Sequence, residues 1–102
     1  MLIYDTLSGE KKLLKKTKKS LKLFVCGPTV YGDSHLGHAR TQVAFDSIVR
    51  YLRSRGYRIR YLQNITDVDD KIIARAREER THPLTLAKKF EKSYREDLKA
   101  LG

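Results

Sequence analysis

The sequence predicts an α/β protein built on one parallel βαβ unit, with a β-hairpin arm before it and helices after it. Three observations carry that prediction. An apolar run from Leu21 to Cys26 ends on Gly27-Pro28. Helical periodicity then extends from Leu36 to Arg53, with Phe45, Ile48, Val49 and Leu52 at the i, i+3, i+4, i+7 spacing of a buried face. A second strand-like run, Tyr57 to Gln63, follows Gly56. Strand, helix and strand in close succession imply two parallel strands joined by a right-handed crossover.

The elements divide the chain into an arm (1–20), the βαβ unit (21–64), and a loop with helices (65–102). Leu2 to Leu7 alternates in part and reads as a strand, and Ser8-Gly9 reads as a turn. Lys11 to Lys22 holds seven lysines and no acid, which suits either a solvated hairpin arm or an RNA-facing patch. The near-continuous apolar character of Leu21, Leu23, Phe24, Val25 and Cys26 is that of a strand buried on both faces. Ala44 and Tyr51 widen the apolar face of the helix that follows. Arg53 and Arg55 complement the negative end of its dipole, and Gly56 takes the position just past its end. Asp67-Val68-Asp69-Asp70 opens a helix over Lys71 to Arg80, which Thr81-His82-Pro83 breaks. A last helix, Leu84 to Leu101, aligns Ala87, Phe90, Tyr94, Leu98 and Leu101 on one face.

Ligands of parallel sheets sit outside the carboxyl ends of the strands. Cys26 and Asn64-Ile65-Thr66-Asp67 both fall at that edge, so segments remote in sequence should face one cleft. The run Val25 to Arg40 places His35-Leu36-Gly37-His38 where the helix starts. A helix N-terminus offers unpaired N–H groups and a positive dipole end to phosphate. A lone histidine there is ordinarily a cap, but two histidines beside a glycine-rich turn supply imidazole donors to phosphoryl oxygens.

At 102 residues the chain holds one small domain. A net charge of +10 favours anionic partners such as nucleotides, RNA or an anionic membrane surface. No apolar run approaches the ~20 residues of a membrane span. Met1-Leu2-Ile3-Tyr4-Asp5 lacks the pattern of a secretory leader. The single cysteine excludes an internal disulfide, and a cytoplasmic location is the expectation.

Five stretches together are specific where a single His-x-Gly-His is weak: Val25-Cys26-Gly27-Pro28-Thr29-Val30-Tyr31, His35-Leu36-Gly37-His38, Val43-Ala44-Phe45-Asp46, Arg50-Tyr51-Leu52-Arg53 and Asn64 to Ile73. In order and spacing they resemble the N-terminal part of the catalytic domain of the cysteine–tRNA ligases, class I aminoacyl-tRNA synthetases. A sister group, which joins cysteine to a glucosamine-inositol, is also similar. Thr29-Val30-Tyr31 and Lys71 look more like the tRNA enzymes.

The resemblance implies a Rossmann-like (HUP-type) fold, of which this chain carries a part. It implies ATP-dependent activation of cysteine to cysteinyl-adenylate and transfer to tRNA(Cys), with ATP carried with Mg²⁺. His35 and His38 are implied as catalytic, acting at the α-phosphate, with Gly37 against adenine. Cys26 is implied as the first of four zinc ligands, the zinc holding the thiolate of the substrate cysteine, with Gly27 and Thr66 at the bound amino acid. Zinc prefers thiolate to hydroxyl, a selectivity that a plain pocket does not reach easily.

Each residue also has a plainer reading. Cys26 alone reads as a buried strand-end cysteine, and Thr66 as the N-cap of the next helix. Asp67, Asp69 and Asp70 suit capping and dipole pairing better than a Mg²⁺ site. His82, before a proline in a turn, is not expected to be a ligand. The family's other zinc ligands and its lysine–serine loop lie beyond this sequence. Lys16-Thr17-Lys18-Lys19-Ser20 imitates that loop but sits in the lysine-rich arm. Gly32 replaces the family's usual aspartate and loosens its loop. Whether the chain alone is an enzyme is left open. It is expected to be a fragment of a synthetase, one piece of a split synthetase completed by a second chain, or a non-enzymatic nucleotide- or RNA-binding module.

Overall fold

A computed structural model describes residues 1–16 and 19–102. The lysine–serine lookalike includes Thr17 and Lys18, which lie outside the described residues.

The arm is a hairpin. β1 (Leu2–Asp5) pairs antiparallel with β2 (Glu10–Leu13), from Leu2 opposite Leu13 to Asp5 opposite Glu10. The first strand stops at Asp5 rather than Leu7 because the Asp5 side chain turns the backbone. It accepts from Leu7 N–H at 3.2 Å and from the Ser8 hydroxyl at 2.8 Å. Gly9 closes the turn at φ +70, in the left-handed region that favours glycine.

β3 (Leu21–Val25) and β4 (Ile59–Gln63) pair in parallel, from Leu21 opposite Ile59 to Val25 opposite Gln63. α1 (Leu36–Ser54) makes the crossover between them, and Gly56 at φ +80 turns the chain off its end. The pairing continues past both strands. Thr29 bridges Thr66, Thr66 N–H donates to Pro28 C=O at 3.0 Å, and Val30 N–H donates to Thr66 C=O at 3.1 Å. The loops after the two strands are therefore zipped together.

α2 (Asp70–Glu78) and α3 (Pro83–Leu101) pack against each other. His82 is the N-cap of α3, accepting from Leu84 N–H at 3.3 Å, which agrees with its reading as a turn residue. The core joins Ile72 and Ala76 of α2 to Leu86, Ala87 and Phe90 of α3, with Val30 plugged in from the loop after β3. Tyr94 carries α3 onto the sheet, its hydroxyl donating to Gln63 Oε1 at 3.2 Å.

One expectation is corrected. β3 is not buried on both faces. Leu21 and Leu23 are half-buried and Val25 is buried, whereas Phe24 is 61% exposed and its register partner Leu62 is 63% exposed. Similarly, Val49 and Leu52 of α1 are buried, while Ala44, Ile48 and Tyr51 are exposed. For the sheet the cause is that a parallel pair needs cover on two sides, and the described residues supply it on one. The radius of gyration, 17.0 Å, fits this open shape, since a closed domain of this length is expected near ~13 Å.

Candidate functional site

The sequence His35-Leu36-Gly37-His38 builds the start of α1 in an unusual way. His35 is the N-cap, extended at φ −126, and its Nδ1 accepts from Gly37 N–H at 3.0 Å. His38, three residues on, turns its Nδ1 back to accept from His35 N–H at 3.2 Å. This is a reciprocal capping box made by two imidazoles rather than by a hydroxyl and a carboxylate. The rings stack with centroids 4.0 Å apart. Gly37 is required by the packing, because a Cβ there would stand 2.8 Å from Cε1 of the His35 ring.

The box fixes the chemistry of both rings. A ring nitrogen that accepts a hydrogen bond carries no proton, so each neutral imidazole holds its proton on Nε2. Burial, and then the neighbouring His35 charge, lower the pKa of His38 and favour that neutral state. Two Nε2–H donors thus stand beside the positive end of the α1 dipole.

The strand ends are held by one amide. Asn64 Oδ1 accepts from Gly27 N–H at 2.8 Å, and Asn64 Nδ2 donates to Thr66 Oγ1 at 3.2 Å. Cys26 lies exposed at the end of β3 with a free thiol, not buried as its plainer reading held. Asp69, rather than Thr66, caps α2, accepting from Lys71 N–H at 2.8 Å.

Two hollows meet at His38 and Gln42. A cleft of about 300 Å³ is lined by Cys26, Gly27, Tyr31, His38, Gln42 and Lys71, among others. A second hollow of about 530 Å³ runs from Ser34, His35 and Leu36 to Tyr94 and Leu98 of α3. The sequence-predicted residues Cys26, Gly27 and His38 are therefore brought together, with His35 just across the ridge. Gly37 and Thr66 line neither hollow: Gly37 lies under the His35 ring and Thr66 braces the loop junction. Sequence reasoning missed Tyr31, Gln42 and Lys71 as cleft residues. Gln42 carried a signal, being one helical turn beyond His38 on the same face of α1.

Among the described residues no group of three or more His, Cys, Asp or Glu side chains is placed to hold a metal ion. Cys26 offers one thiol ligand to a zinc ion, so these residues alone do not close a tetrahedral site. Among the described residues no helix is long and apolar enough to cross a membrane.

The family model for the catalytic domain of class I tRNA synthetases (C) matches residues 12–102. The chain is 48% identical over 103 residues to the cysteine–tRNA ligase of Anaeromyxobacter sp. (strain Fw109-5), covering 100% of this chain and 21% of that protein. It is 50% identical over 101 residues to the cysteine–tRNA ligase of Streptococcus pneumoniae (strain R6), covering 98% and 23%. It is 51% identical over 100 residues to that of Pyrococcus horikoshii, covering 97% and 21%. The chain thus spans between 21% and 23% of the length of these curated relatives.

Proposed function

The chain belongs to the catalytic-domain family of class I tRNA synthetases (C), and from that premise we propose that it is the N-terminal, ATP- and cysteine-binding part of a cysteine–tRNA ligase. The observation that carries this reading is the His35–His38 capping box, which commits both Nδ1 atoms to backbone N–H groups and leaves two Nε2–H donors free at the head of α1.

In the proposed first step a carboxylate oxygen of cysteine attacks the α-phosphorus of ATP. The bond to the oxygen bridging the α- and β-phosphorus breaks, and pyrophosphate leaves with its electron pair. Negative charge spreads over the non-bridging α-phosphoryl oxygens. His35 and His38 donate to those oxygens from positions fixed before the reaction, so little reorganisation is needed as the charge develops. The α1 dipole acts in the same sense. In the second step a terminal ribose hydroxyl of tRNA(Cys) attacks the cysteinyl carbonyl carbon, the bond from that carbon to the phosphate oxygen breaks, and AMP leaves with its electron pair while the hydroxyl proton passes to solvent.

Cys26 fits the role of one zinc ligand, being exposed on the cleft at a strand end. The remaining ligands would come from outside the described residues. When bound, zinc supplies a preference for thiolate over hydroxyl. Mg²⁺ would travel on the ATP phosphates, since Asp69 is occupied with capping.

The test is ATP binding and cysteine-dependent ATP–pyrophosphate exchange, with zinc present, for the chain beside a His35→Ala/His38→Ala variant. The expected result is ATP binding that the double variant loses. Equal ATP affinity in both proteins would overturn the reading. A second reading, a non-enzymatic nucleotide- or RNA-binding module, draws on the net charge of +10. It predicts RNA binding that weakens steeply with salt as lysines release counterions. A third, one half of a split synthetase completed by a partner chain, draws on the uncovered sheet face, and predicts recovery of aminoacylation with a co-purified partner.

A further inference from the structure

Among the described residues, Lys71 is the one charged residue lining the Cys26–His38 cleft apart from the titratable His38 and the Cys26 thiol themselves. It follows Asp70 at the start of α2, so its backbone belongs to a helix that starts just after β4, while its side chain crosses to the loop after β3. There its Nζ stands 5.6 Å from the centre of the Tyr31 ring. The ring face attracts the ammonium and steadies it at the cleft wall. Three acids lie close by in sequence, at 67, 69 and 70, yet Lys71 forms no ion pair among the described residues; Asp69 is taken by capping. The other polar groups of the cleft, including Thr29, Thr41, Gln42 and the donor side of His38, are uncharged. The cleft therefore carries a positive sign set by one side chain, and its volume of about 300 Å³ suits a small ligand.

We propose that Lys71, held over Tyr31, is an anion-binding residue of this cleft and receives the oxyanion of a small ligand, a carboxylate or a phosphoryl group. This rests on the reading of the cleft as a cysteine- and nucleotide-binding site, and it adds a residue that the histidine pair does not require. Under that reading the two sources of the oxyanion are the amino-acid carboxylate and the α-phosphoryl group. Tyr31 acts on Lys71 and is a positioning residue: without the ring the ammonium has more conformations to lose on binding.

The experiment titrates the full chain with AMP, with L-cysteine and with adenosine, following binding by calorimetry and the Lys71 side-chain methylene resonances by NMR. Lys71→Ala is expected to weaken AMP or cysteine about tenfold, the loss of one charge-assisted contact. Adenosine affinity should stay unchanged, and Lys71→Arg should restore most of the affinity. Loss confined to AMP identifies the phosphoryl group as the occupant, and loss confined to cysteine identifies the carboxylate. Tyr31→Leu should give a smaller loss of the same kind. In the unmodified chain the Lys71 resonances should shift saturably with the same ligand, a readout independent of whether any variant folds.

Wild-type affinities in Lys71→Ala, or Lys71 resonances that do not move, overturn the proposal. So does an unmodified chain that binds neither anion. The histidine reading fails separately. If His35→Ala/His38→Ala retains ATP while Lys71→Ala loses the anion, the capping-box mechanism falls and Lys71 stands. The converse pattern removes Lys71 and leaves the histidines.

Discussion

Gly27 and Asn64 touch so closely that no side chain fits between them: a Cβ on Gly27 would stand 1.6 Å from the Asn64 carbonyl oxygen. The approach lets Gly27 N–H reach the Asn64 side chain, and so joins the ends of β3 and β4. Gly27→Ala is expected to pry the junction apart and destabilise the chain by about 1–3 kcal/mol, as overpacking does. Asn64→Ala, which leaves the space but removes both amide contacts, should cost about 1–2 kcal/mol. Urea denaturation of the two variants checks both values, and a Gly27→Ala chain as stable as wild type would refute the first.

The histidine box makes the head of α1 sensitive to acid. The His38 pKa is lowered in the folded chain, by burial first and the His35 charge second, from an ordinary value of 6.5. The unfolded chain then binds the proton more readily than the folded one. The stabilising contribution of neutral His38 is complete above pH 6.5 and is lost as pH falls through the lower folded value. Protonation also removes the Nδ1 acceptor, so the His35 N–H loses its partner. NMR titration should give His38 a midpoint below 6.5, with the first turn of α1 losing amide protection over the same range.

Asp69 and Asp67 separate a capping role from a metal role. Asp69→Ala removes the N-cap of α2 and should cost about 1 kcal/mol. Asp67 is exposed, and its replacement by alanine should change stability by less than about 0.5 kcal/mol. Thermal melts should not respond to Mg²⁺ or to its chelation in the absence of ATP. A melt raised by Mg²⁺ alone and abolished by Asp69→Ala would make the acidic cluster a metal site.

Phe24 and Leu62 place an apolar pair on the open face of the sheet. The chain is expected to self-associate through that face at high concentration. Phe24→Glu with Leu62→Lys should yield a monomer by light scattering with unchanged far-ultraviolet circular dichroism. Persistent association in that variant would place the contact elsewhere.

The crossover, both boundaries of α1 and the two C-terminal helices were legible because they follow from periodicity and punctuation, which are local. Gly56 and the Thr81-His82-Pro83 break are examples where one residue type dictates the turn. The outward direction of Phe24 was not legible, since the apolar character of a strand does not reveal whether its second face is covered. Nor was the exposure of Cys26, which depends on what β4 places opposite it. At the site, the histidine pair and Cys26 were found by motif, whereas Lys71 and Tyr31 are brought to the cleft by the loop zipper at Thr29 and Thr66. A cleft wall contributed by an element 33 positions after His38 leaves no periodic trace.

Gly27 and Asn64 lie 37 positions apart along the chain. At a ribosomal pace of ~5–20 residues per second, the interval between them lasts about 2–7 s. During that time β3 and the helix head exist as nascent chain, with the Gly27 N–H answered by water alone. α1 has time to form many times over, because helix–coil relaxation takes about a microsecond. The order of synthesis therefore sets a limit on assembly: the β3–β4 junction, and with it the thiol cleft, closes only once Asn64 has left the exit tunnel. A substitution that slows the emergence of Asn64, without changing any contact, lengthens the time for which Val25 and Val30, buried in the folded chain, stand exposed to other nascent chains.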